Sequence, residues 1–467
     1  MNAREIINGG RAAGARWRGE PLETRVRALA ALRQALSDDL DGWVRRIVDA
    51  TGKAPVDALT GDLMTCLDFL AHYEREAPRI LASRPLPGPP LFVGSRFSSE
   101  LEPLGVVLIL SPWNYPLQLA LIPLAGALVA GNAVVLKPSE VAPVGGEIIE
   151  ELCAAVGLPE ALVQVVHGGP EVGAALVDAA PDKIFFTGSV ETGRKVARAA
   201  AGQLVPVELE LGGKDPLLVF GDANLPRAVD AAVYGAFANA GQVCVGIERV
   251  YVERRLYPRF VSEVERAAAR LTVADPRGKS LEEAREIDVG AMIDPRQIAI
   301  VEAHVADALR RGARASQPLR REGALLWPLV LSDVNHEMLV MREETFGPVL
   351  PVMPFDDEEE AVALANDSIY GLNGAVFSAD LDRARRVARR LELGSCAIND
   401  VLKNIGNPHA PFGGTKQSGW GRYHGDEGIT GFCRQLSLME NSGALRREVN
   451  WFPWSAKVYE TVRALLQ

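Results

Sequence analysis

The chain has 467 residues, with 50 Lys and Arg against 60 Asp and Glu, so its formal net charge is -10. This length suggests about three domains, and a composition of 48% hydrophobic and 24% charged residues excludes a disordered or collagen-like chain. The acidic balance argues against a nucleic-acid partner, because phosphate binding needs a basic surface.

Cysteine usage and hydropathy set further bounds. Five scattered cysteines do not make a disulfide framework, so we expect a reducing, cytoplasmic setting, and no cysteine or histidine cluster has metal-ligand spacing. Residues 1–20 lack the apolar core of a secretory signal. Residues 103–136 carry no charge and are long enough to span a bilayer, but three prolines interrupt them. We therefore predict a buried strand, loop, helix and strand there, and no integral membrane segment.

In chain order, helices come first and a parallel sheet follows. Residues 22–80 alternate charged and apolar positions at helical spacing, and the Pro/Gly-rich residues 84–99 predict an extended arm. Short apolar runs separated by helices then predict parallel strands covered on both faces. These runs are residues 105–110, 133–136, 162–166, 183–186 and 205–209.

A second series of the same kind follows, so two α/β domains are predicted to meet near residue 210. Its strands are predicted at 249–252, 349–353, 374–377 and 395–399, and its helices at 225–240, 256–271, 296–311, 357–366 and 379–391. The tail from Arg446 differs in character, because Trp451, Phe452, Pro453 and Trp454 precede a short amphipathic helix.

A candidate phosphate loop lies in FFTGSVETG, residues 185–193, where a buried strand enters a helix. Glycines at such a turn let backbone N–H groups approach a phosphate, and the helix N-terminus favours the anion. The loop is not a P-loop, since Arg194 and Lys195 follow the second glycine instead of Lys and Ser or Thr. A tight turn capped by Ser189 is the alternative.

Three single residues are candidates for chemistry. Cys244 lies between small glycines in GQVCVG, as a nucleophile would, although a free cysteine is more often a small core residue. Glu210 precedes a Gly-Gly turn at a predicted strand end, where it is either a base facing a cleft or a charged edge residue. Asn114, in a nearly charge-free segment, is either a turn former or a donor aimed at an oxyanion.

Together these segments resemble the aldehyde dehydrogenase superfamily. The resemblance rests on seven motifs between positions 111 and 422: SPWNYP (111–116), LKPSE (136–140), FTGSVETG (186–193), LELGGKDP (209–216), GQVCVG (241–246), EETFGPV (343–349) and PFGGTKQSGWGR (411–422). The length and the tail resemble the class 3 branch, whose members tend to be dimers, whereas PFGG resembles the tetrameric branch. We expect a homodimer or homotetramer.

The resemblance implies an α/β fold with a Rossmann-like cofactor domain, an α/β catalytic domain and a small β oligomerisation arm. We expect the dinucleotide-binding domain at 1–83 and 102–209, the catalytic domain at 210–411, and the arm and C-terminal tail at 84–101 and 412–467.

The resemblance also assigns roles to matching residues. Cys244 matches the nucleophile, Glu210 the general base and Asn114 the oxyanion donor, a set that argues against a catalytically silent protein on this fold. The positions matching cofactor-binding residues are Lys137 and Glu140 at the adenosine ribose, Gly188 and Ser189 at the pyrophosphate, Glu344 at the nicotinamide ribose, Phe346 at the nicotinamide ring and Trp113 in the same cleft.

The implied reaction oxidises a small-molecule aldehyde to a carboxylic acid through a cysteine thiohemiacetal and thioester, with NAD as cofactor and NADP possible. Glu140 favours NAD because a carboxylate near the ribose 2′-OH repels a 2′-phosphate, while Lys137 still tolerates one. CoA-acylating relatives typically lack the glutamate at Glu210, so its presence favours hydrolysis.

The substrate prediction rests on the surroundings of Cys244. No arginine is adjacent to bind a semialdehyde carboxylate, and Val243, Val245, Tyr115 and Trp420 suggest an apolar funnel. We therefore expect apolar aliphatic or aromatic aldehydes, with a CoA-acylating or a semialdehyde dehydrogenase as the alternatives. The aromatic tail is predicted to pack at a dimer contact, to cap the funnel or to lie against a membrane surface.

Overall fold

The computed structural model describes residues 2–89, 92, 94–448 and 451–465. Helices cover both faces of two sheets, as the alternating pattern predicts. The helices are α1 (Ala3–Arg18), α2 (Leu22–Ser37), α3 (Leu40–Thr51), α4 (Pro55–Asp57), α5 (Thr65–Ile80), α6 (Gln118–Ala130), α7 (Val144–Ala155), α8 (Pro170–Asp178), α9 (Val190–Ala201), α10 (Leu225–Phe237), α11 (Tyr257–Ala268), α12 (Leu281–Ala284), α13 (Pro295–Arg310), α14 (Leu339–Arg342), α15 (Glu358–Asn366), α16 (Leu381–Ala388), α17 (Glu427–Thr430) and α18 (Ala456–Leu465), with a π-helical turn at Ala58–Met64 and a 3-10 turn at Ala238–Gly241.

The strands are short, as is usual where parallel strands alternate with helices. They are β1 (Arg84–Leu86), β2 (Ser95–Pro103), β3 (Val106–Leu110), β4 (Ala133–Lys137), β5 (Val163–Val165), β6 (Lys183–Thr187), β7 (Val207–Glu210), β8 (Asp215–Val219), β9 (Ile247–Glu253), β10 (Arg314–Ala315), β11 (Arg321–Glu322), β12 (Leu325–Leu326), β13 (Leu329–Ser332), β14 (Val349–Phe355), β15 (Tyr370–Gly371), β16 (Ala375–Phe377), β17 (Ala397–Ile398), β18 (Thr415–Lys416), β19 (Gly419–Trp420) and β20 (Cys433–Asn441).

The first sheet has six strands in the order β19-β7-β6-β3-β4-β5. The five apolar runs predicted from the sequence are its five parallel strands, and β19 adds an antiparallel edge. The charge-free residues 103–136 form β3, a loop, α6 and β4, all largely buried, as predicted. In the described part of the chain, no helix combines the length and apolar character needed to cross a membrane.

The second sheet has seven strands in the order β10-β13-β14-β9-β8-β16-β17, parallel except for β10. Four of these strands were predicted, whereas β8, β13 and the two-residue β10 were not. Pro216 lies inside β8, and proline normally argues against a central strand because it lacks the N–H that the ladder needs. An irregularity in register between Asp215 and Pro216 accommodates it here.

The third sheet is an antiparallel arm, β1-β2-β20, in which β2 pairs with β20 from Ser95↔Asn441 to Pro103↔Cys433. The Pro/Gly-rich segment predicted to be extended therefore supplies two of its strands. These three sheets are the α/β architecture expected from the sequence, and the residue boundaries proposed for the domains stay a prediction. The carboxyl ends of the first sheet's strands line a cavity, which is where parallel sheets usually bind ligands, and the segments that precede β8, β9 and β14 of the second sheet lie beside it.

Candidate active site

A cavity of about 760 Å³ lies at the carboxyl ends of the first sheet's strands. It is lined by Trp113, Lys137, Glu140, Gly188 and Ser189, so five of the seven predicted cofactor-binding residues share one cavity. Lys137 ends β4, and the other four residues come from the loops after β3, β4 and β6, which are neighbouring strands in the sheet. The volume falls within the range of roughly 300–1,000 Å³ typical of ligand and cofactor pockets.

One end of this cavity carries a charged pair. The Lys137 Nζ donates to Glu140 Oε2 at 2.9 Å. Although burial disfavours the charged form, the hydrogen bond from Lys137 and its charge lower the pKa of Glu140. The carboxylate is therefore an anionic acceptor that fits ribose hydroxyls better than a 2′-phosphate. Arg296, which the sequence did not single out, lines the same cavity from α13 and forms an ion pair with Asp294.

The middle of the cavity meets the start of α9. The Ser189 Oγ accepts a hydrogen bond from the Thr192 N–H at 3.3 Å, so Ser189 is the helix cap as well as a cavity residue. The first N–H groups of a helix attract anions, which suits this end of α9 to a pyrophosphate. At Gly188 an added Cβ would lie 2.7 Å from the Phe186 ring, so a larger residue would displace that wall.

The remaining two predicted cofactor residues, Glu344 and Phe346, lie where the cavity meets the second sheet. The rings of Trp113 and Phe346 contact each other edge to face at 5.4 Å. Glu344 accepts a hydrogen bond from the Gly213 N–H at 3.1 Å, and burial together with the charge of Glu248 raises its pKa to about 8. The structure thus joins the cofactor cavity to the turn that follows Glu210.

A buried charged pair that sequence reasoning missed holds this second group in place. Glu248 accepts hydrogen bonds from the N–H groups of Thr345 and Phe346, at 2.7 and 2.8 Å, and forms an ion pair with Lys214. The Lys214 Nζ also donates to the Thr345 hydroxyl at 3.0 Å. In the sequence, Lys214 and Glu248 are two charged residues 34 positions apart, and no local pattern links them. They meet because β8 and β9 are neighbouring strands.

Asn114 lies in the loop after β3, and its side chain is bonded to the segment that carries Cys244. Its Nδ2 donates to the Gln242 carbonyl at 3.0 Å, and the residue is 3% exposed. Its own carbonyl accepts from Lys53 Nζ at 2.8 Å and from Asn239 Nδ2 at 3.1 Å. An amide nitrogen carries two hydrogens, so one N–H of Asn114 remains for another acceptor.

Cys244 follows a tightly constrained turn. Asn239 and Ala240 both adopt left-handed backbone angles, with φ of 48° and 55°. At Gly241, φ is 74° and an added Cβ would lie 2.3 Å from the Gly347 carbonyl, so only glycine fits. The Asn239 N–H donates to Asp57 Oδ2 at 2.9 Å, which ties this turn to the short helix α4.

Burial, followed by the negative charges of Glu344, Asp215 and Glu210, raises the pKa of the partly exposed Cys244 thiol. Its thiolate fraction is therefore small at neutral pH and grows as the pH rises. We expect the rate of Cys244 alkylation by iodoacetamide in the free protein to increase about tenfold per pH unit between about pH 7 and pH 9. Mass spectrometry of the peptide containing Cys244 measures this rate; a plateau below about pH 8 would contradict the direction of the shift.

Glu210 is the last residue of β7 and is 3% exposed. Neither carboxylate oxygen has a hydrogen-bond partner among the described residues. Burial and repulsion from Glu208 raise its pKa well above the ordinary value. An unpartnered carboxylate of raised pKa, close enough to Cys244 for their charges to interact, is typical of a general base.

The structure thus brings Cys244, Glu210 and Asn114 to one region of the cleft, next to the cofactor cavity. Among the described residues, no group of three or more His, Cys, Asp or Glu side chains is placed to hold a metal ion, and all five cysteines are free thiols.

A buried ion pair beneath the site gives a stability prediction. Lys53 Nζ lies 2.7 Å from Asp62 Oδ2, with both side chains fully buried, and Asp62 Oδ1 accepts from the N–H groups of Leu117 and Gln118. We expect Lys53→Met to lower the free energy of unfolding by about 3–5 kcal/mol, because it leaves a buried carboxylate unpaired. Urea unfolding followed by circular dichroism measures this loss.

The matched control for this change is Lys195→Met, which breaks an ion pair between two exposed side chains, Lys195 and Glu191. Exposed pairs contribute little, so its unfolding midpoint should stay at the wild-type value. Equal midpoints for the two variants would show that the buried pair does not stabilise the loop that carries Asn114.

Comparison with known proteins agrees with this geometry. The chain matches the model of the aldehyde dehydrogenase family over residues 1–437. A 4,4'-diapolycopene aldehyde oxidase from Methylomonas sp is 49% identical over 452 residues, covering 96% of this chain and 84% of the relative. A betaine aldehyde dehydrogenase from Rhizobium leguminosarum is 40% identical over 381 residues, covering 80% and 75% of the two chains.

A solved structure of Mycobacterium tuberculosis aldehyde dehydrogenase complexed with NAD+ superposes with a TM-score of 0.88 at 33% identity, covering 95% of this chain and 92% of that one. The cavity, the helix N-terminus and the anionic Glu140 fit a dinucleotide of this kind. The chain therefore belongs to the aldehyde dehydrogenase family and is an NAD(P)-dependent oxidoreductase that acts on aldehydes.

Proposed function

We propose that this enzyme oxidises apolar aldehydes to carboxylic acids through a thioester on Cys244, with NAD preferred over NADP. One observation carries the proposal. The Asn114 side chain is hydrogen-bonded to the carbonyl of Gln242, two residues before Cys244, while an unpartnered Glu210 lies close to the same thiol. A nucleophile, an oxyanion donor and a base are the three groups that acyl chemistry requires.

In the first step, the Cys244 thiolate attacks the carbonyl carbon of the aldehyde. The oxyanion that forms accepts hydrogen bonds from the free N–H of Asn114 and from the backbone N–H of Cys244. Asn114 is held rigidly for this role, because Lys53 and Asn239 both bind its carbonyl. Trp113, Glu140, Ser189, Glu344 and Phe346 would hold NAD(P), which when bound would supply the acceptor for the hydride that leaves the carbon attached to sulfur.

Glu210 serves the second step, in which water hydrolyses the thioester. Its carboxylate removes a proton from the water, and its raised pKa brings it closer to working pH, where a base is most effective. Since Glu210 has no partner among the described residues, no bond must be broken before it accepts that proton. Hydrolysis releases the carboxylic acid and restores the Cys244 thiol.

The apolar substrate class rests on the neighbours of the thiol. Val243 and Val245 flank Cys244 in the chain and are 5% and 6% exposed, and Tyr115 directly follows Asn114 in the loop after β3. Trp420, by contrast, is 54% exposed on β19, where its indole N–H donates to the Val207 carbonyl. The two relatives described above differ on this point. The relative named for a diapolycopene aldehyde, which is the more similar of the two, supports an apolar substrate. The relative named for betaine aldehyde does not.

Steady-state turnover of four aldehydes tests this choice: hexanal, benzaldehyde, succinic semialdehyde and betaine aldehyde, each with NAD and with NADP. We expect kcat/KM for hexanal and benzaldehyde to exceed that for succinic semialdehyde by at least about 100-fold, because burying an unpaired carboxylate costs several kcal/mol. A clear preference for either charged aldehyde would overturn the substrate class. Turnover that requires CoA would favour the acylating alternative.

NAD should give the higher kcat/KM of the two cofactors, since Glu140 repels a 2′-phosphate. The homodimer or homotetramer and the cytoplasmic location stay predictions.

A further inference from the structure

The C-terminal tail carries large apolar side chains in contact with solvent. Trp451, Phe452 and Tyr459 are 57%, 76% and 67% exposed, and Trp454 is 67% exposed. They precede and lie on α18, whose other described residues are exposed apart from the half-buried Val458 and Val462. Exposed aromatic side chains at this density mark a binding surface, because water penalises each of them.

The pattern along α18 is amphipathic. Val458, Tyr459 and Val462 are spaced to share one helical face, whereas Lys457, Glu460 and Arg463 lie at other positions around the helix. A short helix of this kind, led in by tryptophan and phenylalanine, has the composition of an element that lies in a membrane interface.

The charges of the tail differ in sign from those of the whole chain. Residues 446–467 contain four basic and two acidic side chains, while the protein carries a net charge of -10. Arg446, Arg447 and Lys457 form no ion pair with any residue in the described part of the chain. The aromatic side chains are thus accompanied by cations that have no anionic partner.

We propose that the described part of this tail, residues 446–448 and 451–464, is a binding surface for an anionic lipid bilayer. Trp451, Phe452 and Tyr459 would enter the headgroup region, and Arg446, Arg447 and Lys457 would meet lipid phosphates. The cations beside the rings suit an anionic bilayer, because a bilayer offers phosphates and an apolar layer at the same surface. At a bilayer, cations stay in the polar layer while the aromatic rings enter the apolar one.

Lipid binding by the tail does not depend on which aldehyde the enzyme oxidises. Its use rests on the proposed function, since apolar aldehydes dissolve in bilayers and an enzyme bound there meets them at high local concentration. The test therefore measures lipid binding and aldehyde turnover separately.

Full-length protein is floated with vesicles of phosphatidylcholine alone and of phosphatidylcholine mixed with phosphatidylserine. We expect binding to the mixed vesicles, weakened by added salt, and weak binding to the neutral ones. Replacing Trp451, Phe452 and Tyr459 together by serine should abolish binding. Replacing Arg446 and Arg447 by glutamine should weaken it about tenfold or more, since each basic residue near an anionic surface contributes attraction.

Leu204→Ser is the control, because Leu204 is a 91% exposed apolar residue outside the tail, and it should leave vesicle binding unchanged. Hexanal turnover and the mass from light scattering should be unchanged in the serine variant. The proposal is wrong if wild-type protein does not bind the mixed vesicles, or if the serine variant binds them equally well. It is also wrong if that variant changes the oligomeric state, which would make the tail a subunit contact. Lipid binding without hexanal turnover would instead count against the proposed function alone.

Discussion

Cys244→Ala should abolish aldehyde oxidation, lowering kcat by roughly 10⁴-fold or more, while NAD binding stays nearly intact. Without the sulfur no covalent intermediate forms, and the remaining groups bind the aldehyde without activating it. The predicted cofactor residues should be little affected, since Trp113, Lys137, Glu140 and Ser189 belong to the strand ends and loops of the first sheet.

Two measurements check this result: NADH formation with hexanal, and NAD affinity by calorimetry. Cys153→Ala is the matched control, because Cys153 is a partly exposed free thiol on α7, and it should retain wild-type turnover. Substantial activity in Cys244→Ala would place the nucleophile elsewhere. Loss of NAD binding together with activity would indicate a folding defect instead of a chemical one.

Glu210→Gln should leave formation of the first NADH largely intact and slow steady turnover by roughly 10²- to 10⁴-fold, the usual contribution of a general base. The amide has the shape of the acid but cannot accept a proton from water. The thioester on Cys244 should then accumulate, so rapid mixing should show a burst of NADH followed by a slow steady phase.

The variant should also change the pH profile. Since the Glu210 pKa is raised, the wild-type carboxylate is lost as the pH falls through that value, and kcat should fall on the acid side. Glu210→Gln should lose this dependence, whereas Glu440→Gln, a change on the exposed strand β20, should keep it. Wild-type steady turnover in Glu210→Gln would contradict its role as the base.

Much of the fold followed from short apolar runs. The five runs of the first series are the five parallel strands of one sheet, because strands buried on both faces need continuous apolar sequence. The strands β8 and β13 escaped prediction for local reasons. Pro216 disguises β8, and β13 is a run of only four residues, Leu329–Ser332, which periodicity cannot distinguish from other buried segments.

The residues of the site likewise fall into a group that the sequence predicted and a group that it did not. Cys244, Glu210 and Asn114 were predicted as nucleophile, base and donor because they lie in short motifs with a family resemblance. Lys53, Asp62 and the other supporting polar residues were missed. Each is a common charged residue with no local pattern, and its function depends on partners distant in the chain.

The sequence by itself determined the family and the alternation of strands and helices, and it predicted the chemical groups that we propose for the reaction, because these depend on local composition and spacing. Only the tertiary structure decided which groups meet. The Asn114 side-chain amide donates to the Gln242 carbonyl, 128 positions away in the sequence. Glu344 accepts from the Gly213 N–H, 131 positions away. Burial in the cleft also set the protonation of Cys244 and Glu210, since desolvation by distant segments raises both pKa values.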